Sequence, residues 1–134
     1  MGRIKTISAV SVILWAGAAW AVPQSLSQRV QLFATCAGRY SALLEFQLMF
    51  DGHVTDEARS AKEQFEELLE AVLPIAVDDG LSGHAALDWR LTAKHAQSTL
   101  LHRGLLHHDA VIARQSKTMS KRLLRQCGSV ALEI

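Results

Sequence analysis

The chain has 134 residues, 14 of them basic and 13 acidic, for a formal charge of +1, and 49% of its residues are hydrophobic. So even a balance argues against a dedicated nucleic-acid binder, and the mature length suffices for one domain but not two. There is no C-x-x-C pair and no glycine-rich phosphate loop, so the thioredoxin-like, haem-attachment and nucleotide-binding classes lack their motifs, and no cofactor is implied.

The first element is "MGRIKTISAVSVILWAGAAWAVPQ", with Arg3 and Lys5 ahead of an apolar run from Ile7 to Trp20 and then Ala19-Trp20-Ala21. This is the grammar of a secretory signal peptide: a positive start, an apolar stretch short for a membrane span, and small residues flanking a cleavage point. It predicts a signal over residues 1–21, a mature domain over 22–134 starting at Val22, and a periplasmic or secreted location. Two other readings carry less weight. An uncleaved anchor would need a tilted helix, and Met1-Gly2 with Thr6 also fits an acylation pattern. Membrane contact is expected only through this segment. Its removal takes Arg3 and Lys5 and no acid, so 14 basic residues less two against 13 acidic leaves −1.

The apolar residues of the mature chain keep a helical period throughout. A first helix is predicted from about Leu26 to Phe50, lined by Leu26, Val30, Phe33, Ala37, Tyr40 and Leu44 and stopped by Asp51-Gly52. Thr55 is placed to cap a second helix, whose Asp56 and Glu57 suit the positive end of the helix dipole. Ala58, Ala61, Phe65, Leu68, Leu69 and Val72 line it, and Pro74 is expected to disturb or end it near Leu73.

After "DDGLSG", a third helix has two apolar stripes, Trp89-Ala93-Ala96-Leu100 and Leu87-Leu91-Leu101-Leu105. Asp109 is available to cap a fourth helix with Ile112, Ser116, Met119, Leu123 and Cys127 on its core side and Gly128 as its C-terminal cap. Four such helices with short connections predict an all-α, antiparallel up-down four-helix bundle.

Cys36 lies beside the apolar stripe of the first helix, and Cys127 lies at the end of the fourth. Two cysteines on core-facing flanks of an exported chain predict a disulfide. Free buried thiols and a reactive cysteine are the other readings. The latter lacks a histidine in the same helix to activate it.

Five of the six histidines fall between positions 84 and 108. His84, His95 and His102 share a line of the third helix, with Asp88 close by, but their gaps of eleven and seven residues are about 16 and 10 Å of rise. Only His84 and Asp88 have ligand spacing, which makes them weak metal candidates, so the expectation is a solvated polar face and no metal. His107 and His108 are expected to point in different directions.

Charge is sorted along the chain. Glu45 to Asp79 holds ten acidic and two basic residues; Arg90 to Arg125 holds eight basic and one acidic. Weak surface pairing between the second and fourth helices is one explanation. The other is that Lys117, Lys121, Arg122 and Arg125 meet an acidic protein partner or another anionic surface. Phe46 and Met49 make the end of the first helix apolar nearly all round. That end is expected to be covered by the connection through Pro74 to Val77, or else to form an exposed patch for a partner.

The blocks "CAGRYSALLEFQ", "ALDWRLTAKHAQSTLL" and "KRLLRQC" resemble those of small exported bacterial proteins of alphaproteobacterial type. The resemblance implies an all-helical, cysteine-bracketed domain without an assigned activity, and it carries no catalytic residue across. The sequence therefore points to a non-enzymatic interaction module, with a small-ligand or metal binder on the histidine-bearing face of the third helix as the alternative.

Overall fold

A computed structural model describes residues 25–131, so the predicted signal segment lies outside the described residues. Those residues form four helices, α1 Leu26–Phe50, α2 Asp56–Asp78, α3 Ala85–Leu106 and α4 Ala110–Ala131, with no strand among them. None of the four is long and apolar enough to cross a membrane.

Local chemistry explains most of the helix starts. The Ser25 hydroxyl accepts from the Gln28 amide at 3.2 Å while the Gln28 side chain accepts from the Ser25 amide, a reciprocal cap on α1. Thr55 caps α2 by accepting from the Ala58 amide at 3.3 Å. Gln47 reaches across the turn to both the amide and the hydroxyl of Thr55, tying the end of α1 to the start of α2. The carboxylate of Asp109 accepts from the Val111 and Ile112 amides, at 2.8 and 3.2 Å. Gly52, at φ 73°, supplies the left-handed residue that the stop after α1 requires.

Pro74, expected to disturb or end α2, and Gly128, expected to cap α4, do not end their helices. α2 runs through Pro74 to Asp78. Proline in a helix interior costs about 3 kcal/mol, but Leu69 and Ala76 are buried and Val72 and Leu73 pack on the core, so unwinding here would expose both sides of the break. The proline itself is exposed, as is Glu70, whose carbonyl loses its amide partner. Gly128 likewise lies inside α4, which continues to Ala131.

α1 is the spine of the bundle and makes its broadest interface with α3 and its next with α2; α4 packs mainly on α3. The α1–α3 contacts rise together, from Gly38 at Arg90 and Lys94, through Glu45 and Lys94, to Phe46 and Phe50 at His102. α4 turns back along α3, with Gln97 at Ser120 and Gly104 at Lys117. The core holds Val30, Phe33, Cys36 and Tyr40 of α1 against Phe65 and Leu69 of α2, with Ala86 and Cys127 closing it. The Phe65 ring, fully buried, stacks on Tyr40 at 6.0 Å and lies 6.4 Å from Phe33.

The close α1–α3 crossing corrects the predicted faces of α3 and α4 only in part, since Trp89 packs on the core and Ser116 and Cys127 are buried as expected. The buried residues of α3 are Ala86, Gln97 and Gly104, whereas Leu87 and Leu91 are each 53% exposed and Leu105 is 47% exposed. On α4, Ser116, Ser120 and Cys127 are inside while Ile112 and Met119 face outward. Gly38 brings backbone against backbone at the crossing, and Gly104 does the same for the Lys117 stem. Apart from Gln97, whose amide donates to the Ser120 hydroxyl, gaps this narrow accept alanine, serine or glycine, and Leu87, Leu91 and Leu105 turn outward.

Candidate functional site

Cys36 and Cys127 form a disulfide with Cα atoms 5.6 Å apart, and both are fully buried. It joins α1 to α4 where those helices otherwise touch little. Arg39 sits beside it, its guanidinium donating to the Leu123 carbonyl at 3.2 Å and lying 3.5 Å from the Cys127 sulfur. Burial pulls the Arg39 pKa below its ordinary value. Tyr40 donates to the Leu124 carbonyl; burial first, then the Glu57 charge, raise its phenol. These groups anchor α4, and the bonded sulfurs leave no thiolate for chemistry here.

The far end of α1 carries the first candidate surface. Phe46 and Phe50 pack ring to ring at 4.6 Å, and the His102 ring meets both edge-on at 5.7 Å. His102 Nδ1 donates to the Ser98 carbonyl at 2.8 Å, since a carbonyl can only accept. The expected cover from Pro74 to Val77 is not there. α2 leads away from this end, its Thr55 at Gln47 and its Phe65 already back at Tyr40 and Phe33. Met49 is 67% exposed and Leu106 64%. With Phe50, Leu105 and Val111, also exposed, they give one end of the bundle an apolar cap drawn from three helices.

The second surface is the outer side of α4. Lys117, Lys121, Arg122 and Arg125 are all exposed, and none has a carboxylate of the described residues within ion-pair distance. Arg122 reaches instead to the Met119 sulfur at 3.0 Å. The expected pairing of α2 with α4 is replaced by pairing through α3. Glu66 of α2 binds Lys62 and Arg90, and Glu45 of α1 binds Lys94.

Burial alone would raise the Glu66 carboxyl, but the Lys62 hydrogen bond and the Arg90 and Lys62 charges outweigh it and hold the group below its ordinary 4.5. A lowered carboxylate pKa gives stability that is complete above the ordinary value and lost as pH falls through the folded one. Glu66→Gln is therefore expected to cost about 1 kcal/mol or less near neutral pH. Urea unfolding of both proteins should find that difference closing below about pH 4.

The histidines do not converge. His84 is exposed just before the first helical residue of α3, and Asp88 meets it only through the Asp88 amide and the His84 carbonyl. Among the described residues no three His, Cys, Asp or Glu side chains are placed to hold one ion. His107 and His108, expected to diverge, stack at 4.7 Å, and His107 Nδ1 accepts from the Asp109 amide.

Compared with protein-family models, curated proteins and solved structures, the chain matches none. A functional reading therefore rests on the chain's own chemistry. Sequence reasoning passed over Gly38 and Gln97. The signal for Gly38 was a glycine among Ala34, Ala37, Ser41 and Ala42 in an otherwise strong helix, a run of small residues that marks a close crossing.

Proposed function

We propose that this chain is a non-enzymatic interaction module of an exported, periplasmic protein, holding a partner protein at the apolar end of the bundle. The observation that carries the reading is the exposure of Met49, Phe50, Leu105, Leu106 and Val111 together at one end. Solvated helix ends are ordinarily polar, and an apolar cap from three helices suits burial against a second surface. Lys117 follows directly along α4, so a partner acidic beside its apolar contact would also engage the basic face. A buried disulfide and the signal grammar of residues 1–21 support an oxidising compartment. The metal or small-ligand alternative at His84 and Asp88 has no third donor behind it among the described residues.

The test is crosslinking in periplasm from photoreactive residues at Met49 and Leu106, with the partner identified by mass spectrometry. Met49→Asp should abolish the crosslink from Leu106. Reversing Lys117, Lys121 and Arg125 to glutamate should weaken it, and in the parent it should fall as salt rises past about 0.15 M. The same triple reversal should change folding stability by no more than about 1 to 2 kcal/mol, through surface electrostatics and the C-terminal end of the α4 dipole. Crosslinks that survive both sets of substitutions would defeat the proposal.

A further inference from the structure

On the side of α1 away from Phe46 and Phe50 lies a groove of about 420 Å³, walled by α1 and α3 with Lys62 of α2 on its rim. That volume falls within the usual range for small-ligand sites. Leu44 and Leu48 form one wall and Leu87 and Leu91 the other. Three of the four are exposed by more than half, at 59% for Leu48 and 53% for Leu87 and for Leu91. The surroundings of these leucines are charged in an uneven way. Lys94 is matched one to one by Glu45 at 2.5 Å, whereas Lys62 and Arg90 share the single carboxylate of Glu66. One positive charge is left over beside four leucines.

We infer that this groove binds the anionic head and apolar tail of a single-chain fatty acid of medium length. The carboxylate would take hydrogen bonds from Lys62 and Arg90, whose donors exceed what Glu66 alone can accept, and the alkyl chain would lie between the leucine pairs. Charge selects an anion, and the leucines select an alkyl chain. The site uses neither the apolar end nor the α4 face, so it stands or falls independently of the partner reading.

Isothermal titration of the purified chain with decanoate, decanol and decyltrimethylammonium, each below its micelle concentration, tests this. Decanoate should bind saturably at one per chain, about tenfold or more tighter than decanol, with no saturable binding of the ammonium. Lys62→Gln should weaken decanoate about tenfold and leave decanol unchanged. Leu91→Asp should abolish both, and because Leu91 is already solvent-facing the fold should tolerate it. Ile75→Asp, an equally exposed change outside the groove, should leave binding intact. The inference is overturned if decanol binds as well as decanoate, if binding never saturates, or if Ile75→Asp acts like Leu91→Asp. It is also overturned if light scattering finds a dimer that Leu91→Asp converts to monomer, since the groove would then be an interface between two copies.

Discussion

Replacing Cys36 and Cys127 together with alanine is expected to lower the unfolding free energy by about 4 to 5 kcal/mol. The bond closes a sequence separation of 91 residues, and releasing it returns that loop-closure entropy to the unfolded chain. For a domain of this size the melting temperature should fall by roughly 15 to 25 °C. Cys36→Ser alone should cost nearly as much, because one missing sulfur already opens the loop. The loss should not be spread evenly over the molecule. The inner side of α4 is Ser116, Ser120 and Cys127, with Ala113, Leu123, Leu124 and Val130 no more than half-buried beside them, so little apolar burial secures it once the bond is gone. Hydrogen exchange of the reduced protein should find amides of α4 unprotected while those of α1 around Phe33 to Tyr40 remain protected. Unfolding free energies from urea titration that agree within about 1 kcal/mol for the oxidised protein and the double variant would contradict this account.

Gly38→Ala is expected to destabilise the fold by about 1 to 2 kcal/mol, against the direction that helix propensity alone would give. Alanine in the middle of α1 should gain about 1 kcal/mol over glycine. A Cβ at Gly38, however, would run into the backbone carbonyl of Arg90, with the Lys94 amide nitrogen 3.1 Å away, and backbone atoms cannot turn aside as a side chain can. α1 and α3 must separate, and overpacking of that kind costs about 1 to 3 kcal/mol or more before the propensity gain is counted. Two other glycines serve as controls. At Gly104 the new methyl would meet Lys117 Cγ at 2.8 Å with the Lys117 amide nitrogen 3.4 Å away, and at Gly128 it would find only the Tyr40 hydroxyl at 3.9 Å. Gly104→Ala should destabilise less than Gly38→Ala, because a side-chain carbon can shift where backbone cannot, and Gly128→Ala should be slightly stabilising. Thermal melts of the three variants in parallel separate the effects, and a Gly38→Ala protein as stable as the parent would mean the crossing is looser than described.

Both predictions bear on how far the amino-acid sequence specifies this protein. The span of α1, the caps at Thr55 and Asp109, the stop at Asp51-Gly52 and the pairing of the two cysteines are all legible from residue chemistry. Each depends on groups within a turn of one another, or on there being two thiols to pair. Trp89, Ser116 and Cys127 lie inward as expected, and what the sequence could not reveal is which apolar neighbours on α3 and α4 share that side. Counting apolar residues placed Leu87, Leu91, Ile112 and Met119 in the core, but the space between helices is set by the tightest contact, and beside Gly38, where α1 meets the α3 backbone, there is no room for Leu87 or Leu91. α2 also stays helical through Pro74, with Leu73 before it and Ala76 and Leu81 after it all packed on the core. The tertiary packing puts the displaced leucines beside Lys62 and Arg90 and leaves the end of α1 uncovered. Periodicity along one chain says that a helix has an apolar side, and only the distance to its neighbour decides whether that side can be buried.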